Sequence, residues 1–192
     1  MPHSAINESG FVTIGGIEQW VQIRGDTTAN PVLLFLHGGP GGSAMALGTG
    51  WREWEKDFTI VHWDQRGSGR TFEKSGTTGG ELMTVEGMRN DGLELAAYLL
   101  PRLGAQKIIL VGHSWGTVLG VRMIMAKPEL FCAYVGVAQV TNTRRNGALR
   151  YQKLLGRLQE QRIDYAMFDT SKPLDKALFT YLLARERFST AR

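Results

Sequence analysis

A serine framed by two glycines, in the run Gly112-His113-Ser114-Trp115-Gly116, is the part of this 192-residue chain best suited to chemistry. The run follows the apolar stretch QKIILV and leads into a second that reads as helix. In that setting a sharp strand-to-helix turn lifts a serine hydroxyl out of the end of a sheet. Glycine is needed on both sides because a side chain there would collide with the neighbouring strand and helix. The helix beyond points its positive end at the serine, which favours a developing oxyanion. The chemistry is acyl transfer, in which the hydroxyl attacks a carbonyl and holds the acyl group covalently.

A turn serine without chemistry has the same local pattern, and a second motif argues against it. His37-Gly38-Gly39-Pro40-Gly41-Gly42 follows another apolar stretch, PVLLFL, and puts open backbone where an oxyanion hole needs N–H donors. Six of the thirteen residues from 38 to 50 are glycine, several-fold above the ~7% norm. A phosphate-cradling loop is the competing chemistry, but neither G-K-[ST] nor G-x-G-x-x-G is present.

The elements that position these motifs follow from hydrophobic patterning. FVTIGG and IEQWVQIRG read as two strands joined at Gly15 and Gly16, where a hairpin needs positive φ. PVLLFLHGG, DFTIVHWDQRG and QKIILVGHSWG lack alternation, as strands of a parallel sheet buried on both faces do. Between them WREWEKDF and TVEGMRNDGLELAAYLLPRLG read as helices. In the second, Val85, Met88, Leu95, Leu99 and Leu103 recur near helical spacing, Thr84 is the expected N-cap and Gly104 the stop. WGTVLGVRMIMAKPELF adds a helix and CAYVGVAQVTN one more buried strand. This alternation predicts an α/β fold with a mostly parallel sheet over residues 1–142. Residues 143–192 read as amphipathic helix only.

With 43% hydrophobic and 21% charged residues, the composition is that of a soluble globular protein with one sizeable core. There is no run of about 18 apolar residues to span a membrane, and the start lacks a secretory n-region and h-region, so a cytoplasmic location is expected. Cys132, the single cysteine, is expected as a small buried core residue in its apolar run. The four histidines lack paired ligand spacing, so no metal is expected, and serine acyl transfer needs no cofactor. The net charge of +4 is uneven: residues 1–140 carry 11 Lys and Arg against 13 Asp and Glu, and residues 141–192 carry 11 against 5. A basic helical segment without interleaved aromatics reads as a solvated face, not a nucleic-acid site.

HGGPGG at 37–42, DQRGSGRT at 64–71 and GHSWGT at 112–117, in this order, make the chain resemble the proline iminopeptidase branch of the α/β-hydrolase superfamily. The resemblance implies an α/β-hydrolase fold with helices on both faces of the sheet, over residues 1–142, and a partial helical cap over residues 143–192. It implies Ser114 as nucleophile, the backbone N–H groups of Gly39 and Trp115 as oxyanion-hole donors, and a small peptide or ester as substrate. Asp64, Gln65 and Arg66 match the DQRG turn, which supports the rim of the site, with Arg66 expected to pair locally.

In that superfamily the chain order is Ser, then Asp or Glu, then His, and no histidine follows His113. His37, His62 and His113 read as structural, and Asp164, Asp169 and Asp175 lie in the cap-like region. The expectation is a C-terminally truncated hydrolase whose last strands, catalytic His and acid are missing. The apolar strand near Tyr134 to Val140 then becomes a sheet edge, to be covered by a complementing C-terminal polypeptide or by self-association. An aminopeptidase, an esterase or lactonase on the same scaffold, and a non-catalytic remnant all remain open.

Overall fold

A computed structural model describes residues 4–43, 50–78 and 80–142, with the single positions 145 and 152. The expected cap helices lie outside the described residues. The chain divides into two compact units, Met1–Thr141 and Asn142–Arg192, and the sheet with its helices lies in the first.

Strands β1 (Ile6–Ile14) and β2 (Ile17–Gly25) form the expected hairpin, with Gly15 and Gly16 at φ 54° and 77°. The three apolar runs become β3 (Val32–Leu36), β4 (Thr59–Trp63) and β5 (Ile108–His113). With β6 (Phe131–Val137) they build a six-stranded sheet in the order β1-β2-β4-β3-β5-β6. β4, β3, β5 and β6 run parallel, and β2 joins β4 antiparallel.

Helix α1 (Gly69–Ser75), which sequence patterning does not reveal, follows the turn after β4. α2 (Val85–Leu103) begins where Thr84 Oγ1 accepts the Gly87 N–H and ends at left-handed Gly104. α3 (Trp115–Ala126) leaves β5 directly. α2 and α3 cover one face, burying Met88, Leu95, Leu99, Leu119 and Met123 against Leu34, Leu36, Trp63 and Leu110. The Met123 side chain of α3 packs over Gly92 of α2, where a Cβ would stand 2.7 Å from Met123 Sδ. On the other face Leu33, Phe35, Ile60 and Val111 pack with Trp51 and Phe58. The WREWEKDF stretch forms short 3₁₀ pieces, at Trp51 and at Trp54–Lys56, and not the helix expected.

β6 is the sheet edge expected of the strand near Tyr134 to Val140. Cys132, expected as a buried core residue, is exposed instead, as are Ala133 and Val135 to Val137. Among the described residues nothing pairs with its outer side, so an apolar sequence faces solvent.

The second face carries a pH-sensitive group. His62 is buried in β4 beside the rings of Phe35 and Trp51, and its Nδ1 has no hydrogen-bond partner among the described residues. Burial, with the Arg24 charge beside it, pushes His62 down to about 4, against the smaller pull of Asp64. Above about pH 6.5 the ring is neutral in both folded and unfolded chains. As pH falls from there toward 4 the unfolded chain takes the proton first, so stability is lost over that window. We expect a loss of about 2 kcal/mol between pH 7.5 and pH 5 from this group. Urea midpoints of the native chain and of His62→Phe at both pH values check it, the variant losing less.

Candidate active site

One loop and two turns meet at the carboxyl ends of β3, β4 and β5. The serine turn is the tightest. Ser114 adopts φ 52° and ψ −113°, a left-handed conformation that non-glycine residues take only when their surroundings over-determine it. Those surroundings are visible: the Ser114 N–H donates to the Val137 carbonyl at 2.9 Å, and the Ser114 carbonyl accepts from Thr117 N–H and, at 2.6 Å, from Thr117 Oγ1. A Cβ on Gly112 would stand 2.6 Å from the Gly116 carbonyl oxygen, so glycine is required there for the reason given by the spacing. Ser114 Oγ has no hydrogen-bond partner among the described residues.

The glycine loop runs beside this turn. A Cβ on Gly38 would lie 3.3 Å from Ser114 Cβ and 3.0 Å from His113 Nδ1. Gly39 takes φ 127° and Gly41 φ 90°, conformations open to glycine. The Gly39 N–H donates to nothing among the described residues, and Trp115, as the first residue of α3, has an N–H without an intrahelical acceptor. The structure thus brings Ser114 beside the loop that carries Gly39.

The turn after β4 holds both ends of that loop. Gln65 N–H donates to His37 Nε2 at 3.2 Å, Ser68 Oγ lies 3.2 Å from the same nitrogen, and Ser43 Oγ donates to Asp64 Oδ1 at 2.6 Å. Asp64 also accepts the Arg70 N–H at 3.0 Å, which anchors the start of α1. Burial holds His37 below its ordinary value, outweighing its hydrogen bond to Gly38 and the Asp64 charge. The neutral ring donates from Nδ1 to the Gly38 carbonyl at 2.9 Å and accepts at Nε2, so it acts as a fixed brace. His37 and His62 are buried, in keeping with structural roles.

Arg66 departs from expectation. Its partner is not the neighbouring Asp64 but Asp91, in the middle of α2, bonded through Nε at 2.9 Å and a terminal nitrogen at 3.1 Å. Gln19 Nε2 donates to Asp91 at 2.8 Å, Trp63 Nε1 donates to Gln19 at 2.8 Å, and Arg66 also donates to the Gly15 carbonyl at 2.7 Å. All of these side chains are buried. Sequence reading missed Asp91, although one signal pointed to it. The apolar stripe of α2 steps from Met88 to Leu95 across Asp91-Gly92, a charged residue on a core face. No group of three or more His, Cys, Asp or Glu with metal-holding geometry occurs among the described residues.

Residues 31–169, more than half the chain, match the family model described as the alpha/beta hydrolase fold, and the chain belongs to that family. It is 37% identical over 144 residues to the probable aminopeptidase YbaC of Bacillus subtilis, a match covering 74% of this chain and 45% of that protein. The crystal structure of a proline iminopeptidase-related protein from Thermus thermophilus superposes with a TM-score of 0.60 at 32% identity, covering 71% of this chain and 46% of that one. Potato epoxide hydrolase I, at 22% identity and a TM-score of 0.55, covers 68% of this chain and 39% of its own and shares the fold. The chain spans under half the length of these relatives.

Proposed function

We propose that this chain carries the nucleophile half of a serine hydrolase of aminopeptidase type. Ser114 attacks the carbonyl of a small peptide, and the N–H groups of Gly39 and Trp115 receive the oxyanion. The observation that supports this most directly is the backbone of Ser114, held at positive φ between β5 and α3 with its hydroxyl unpartnered beside the Gly38 loop. A constrained, accessible hydroxyl facing free N–H donors is what acyl transfer requires. The kinship with YbaC and the Thermus protein supports a peptide substrate over an ester.

Among the described residues no base reaches Ser114 Oγ, and no histidine follows His113 in the sequence. Loss of the base in serine proteases leaves about 10³- to 10⁴-fold acceleration over water from the oxyanion hole and binding. A fluorophosphonate is therefore expected to label the 192-residue chain slowly and at Ser114 alone, with no label on Ser114→Ala by intact-mass and peptide analysis. A label on another residue overturns the assignment of Ser114. With imidazole supplied as an external base, a prolyl anilide turned over in preference to a short acyl ester supports the aminopeptidase. The reverse order favours an esterase, and no turnover of either favours a non-catalytic remnant.

A further inference from the structure

The two N–H donors assigned to the oxyanion belong to different elements, Gly39 to the loop after β3 and Trp115 to the start of α3. One buried side chain touches both of these elements. Gln65 is fully buried, its Nε2 donates to the His37 carbonyl at 3.4 Å, and its Oε1 accepts from Trp115 Nε1 at 3.3 Å. Its backbone N–H grips His37 a second time, through the imidazole. Its carbonyl is fixed in turn by Ser68 N–H at 2.9 Å and Ser68 Oγ at 2.6 Å.

We infer that Gln65 is a positioning residue, a strut whose amide sets the separation and aim of the Gly39 and Trp115 N–H groups. This rests on the reading of Ser114 as the reacting position. The amide is suited to the task because one planar group offers a donor toward β3 and an acceptor toward α3, and neither end carries charge. The bond to His37 is buried and the bond to Trp115 partly buried, which makes their loss costly and ties the two elements to one amide. An error near 1 Å in such placement costs on the order of a hundredfold in rate.

The test needs a reaction that this chain can perform without a base. Ser114→Cys, in a Cys132→Ser background that removes the exposed native thiol, supplies its own thiolate at alkaline pH. Attack on a p-nitrophenyl ester forms the S–C bond, puts the charge on the carbonyl oxygen, then expels p-nitrophenolate to leave a thioester. Attack on iodoacetamide displaces iodide and forms no oxyanion. The ratio of the two rates therefore reports the oxyanion donors and cancels changes in thiolate fraction and access.

Gln65→Leu is expected to lower that ratio about tenfold, with alkylation changed by less than about twofold. Trp115→Phe, which removes one end of the strut and leaves its backbone N–H in place, is expected to lower it several-fold and serves if Gln65→Leu does not fold. A high ratio in the parent that either folded variant retains overturns the strut and leaves the Ser114 reading standing. A parent ratio no higher than that of N-acetylcysteine overturns the oxyanion assignment and the strut with it.

Discussion

Asp91→Ala is expected to destabilise the folded chain by about 3 to 5 kcal/mol, the range measured when one partner of a buried ion pair is removed. The Arg66 and Asp91 side chains are 1% and 2% exposed, so water cannot replace the lost carboxylate. The loss reaches beyond one contact, because Gln19 Nε2 loses the shorter of its two bonds and keeps only the Ile14 carbonyl at 3.1 Å, while its hold on Trp63 Nε1 depends on the same amide orientation. A typical domain has about 5 to 15 kcal/mol in all, so the variant sits near its unfolding threshold. Arg66→Met with Asp91→Leu removes both charges together and is expected to lose less than Asp91→Ala alone, since paired apolar replacement is often close to neutral. Urea unfolding of the three proteins decides it. A loss under about 1 kcal/mol in Asp91→Ala would show the pair to be dispensable. The consequence for the site is direct: Arg66 follows Gln65, so the pair ties the turn that braces the glycine loop to α2 and to the β1–β2 hairpin.

Much of this framework is legible in the residues themselves. Thr84 and Gly104 mark the ends of α2 because a cap and a left-handed stop are local chemistry. Gly15-Gly16 marks the hairpin for the same reason, and the unbroken apolar runs mark strands buried on both faces. The conformation of Ser114 follows from its glycine spacing before a helix. What escapes notice depends on distant partners. α1 has no apolar stripe, and its first turn is held by the Asp64 carboxylate bonded to the Arg70 N–H, a contact that exists only once the turn has formed. Gln65 is marked in advance only as part of the DQRG turn, and its bonds to His37 and Trp115 arise only when β3 and α3 come to either side of it. The exposure of Cys132 is missed for a different reason. Apolar sequence reports what a strand is suited to touch, whereas its position at the edge decides what it touches among the described residues.

Gly116→Ala is expected to cost about 3 kcal/mol, the upper end of overpacking penalties, even though alanine is the better helix former by roughly 1 kcal/mol. The added Cβ would fall on the Leu36 carbonyl oxygen, 2.7 Å from the Leu36 carbonyl carbon and 2.9 Å from the His37 carbonyl oxygen. These are backbone atoms in and just after β3, a strand paired on both sides, so they cannot turn aside as a side chain could. α3 must back away from β3, and it carries Ser114 and Trp115 away from the loop that holds Gly39. Stability and any Ser114 chemistry should therefore fall together. Gly120→Ala, one turn further along α3, meets the Tyr134 ring at 2.9 Å and leucine methyls at 3.5 Å, and these side chains can adjust. Gly10→Ala in β1 meets nothing within 4 Å. The expected order of lost stability by thermal or urea unfolding is Gly116 well ahead of Gly120, with Gly10 unchanged or slightly stabilised. A Gly116→Ala variant as stable as Gly10→Ala would mean that α3 does not approach β3 as closely as this geometry requires. The glycine spacing that first singled out Ser114 would then lose its steric explanation.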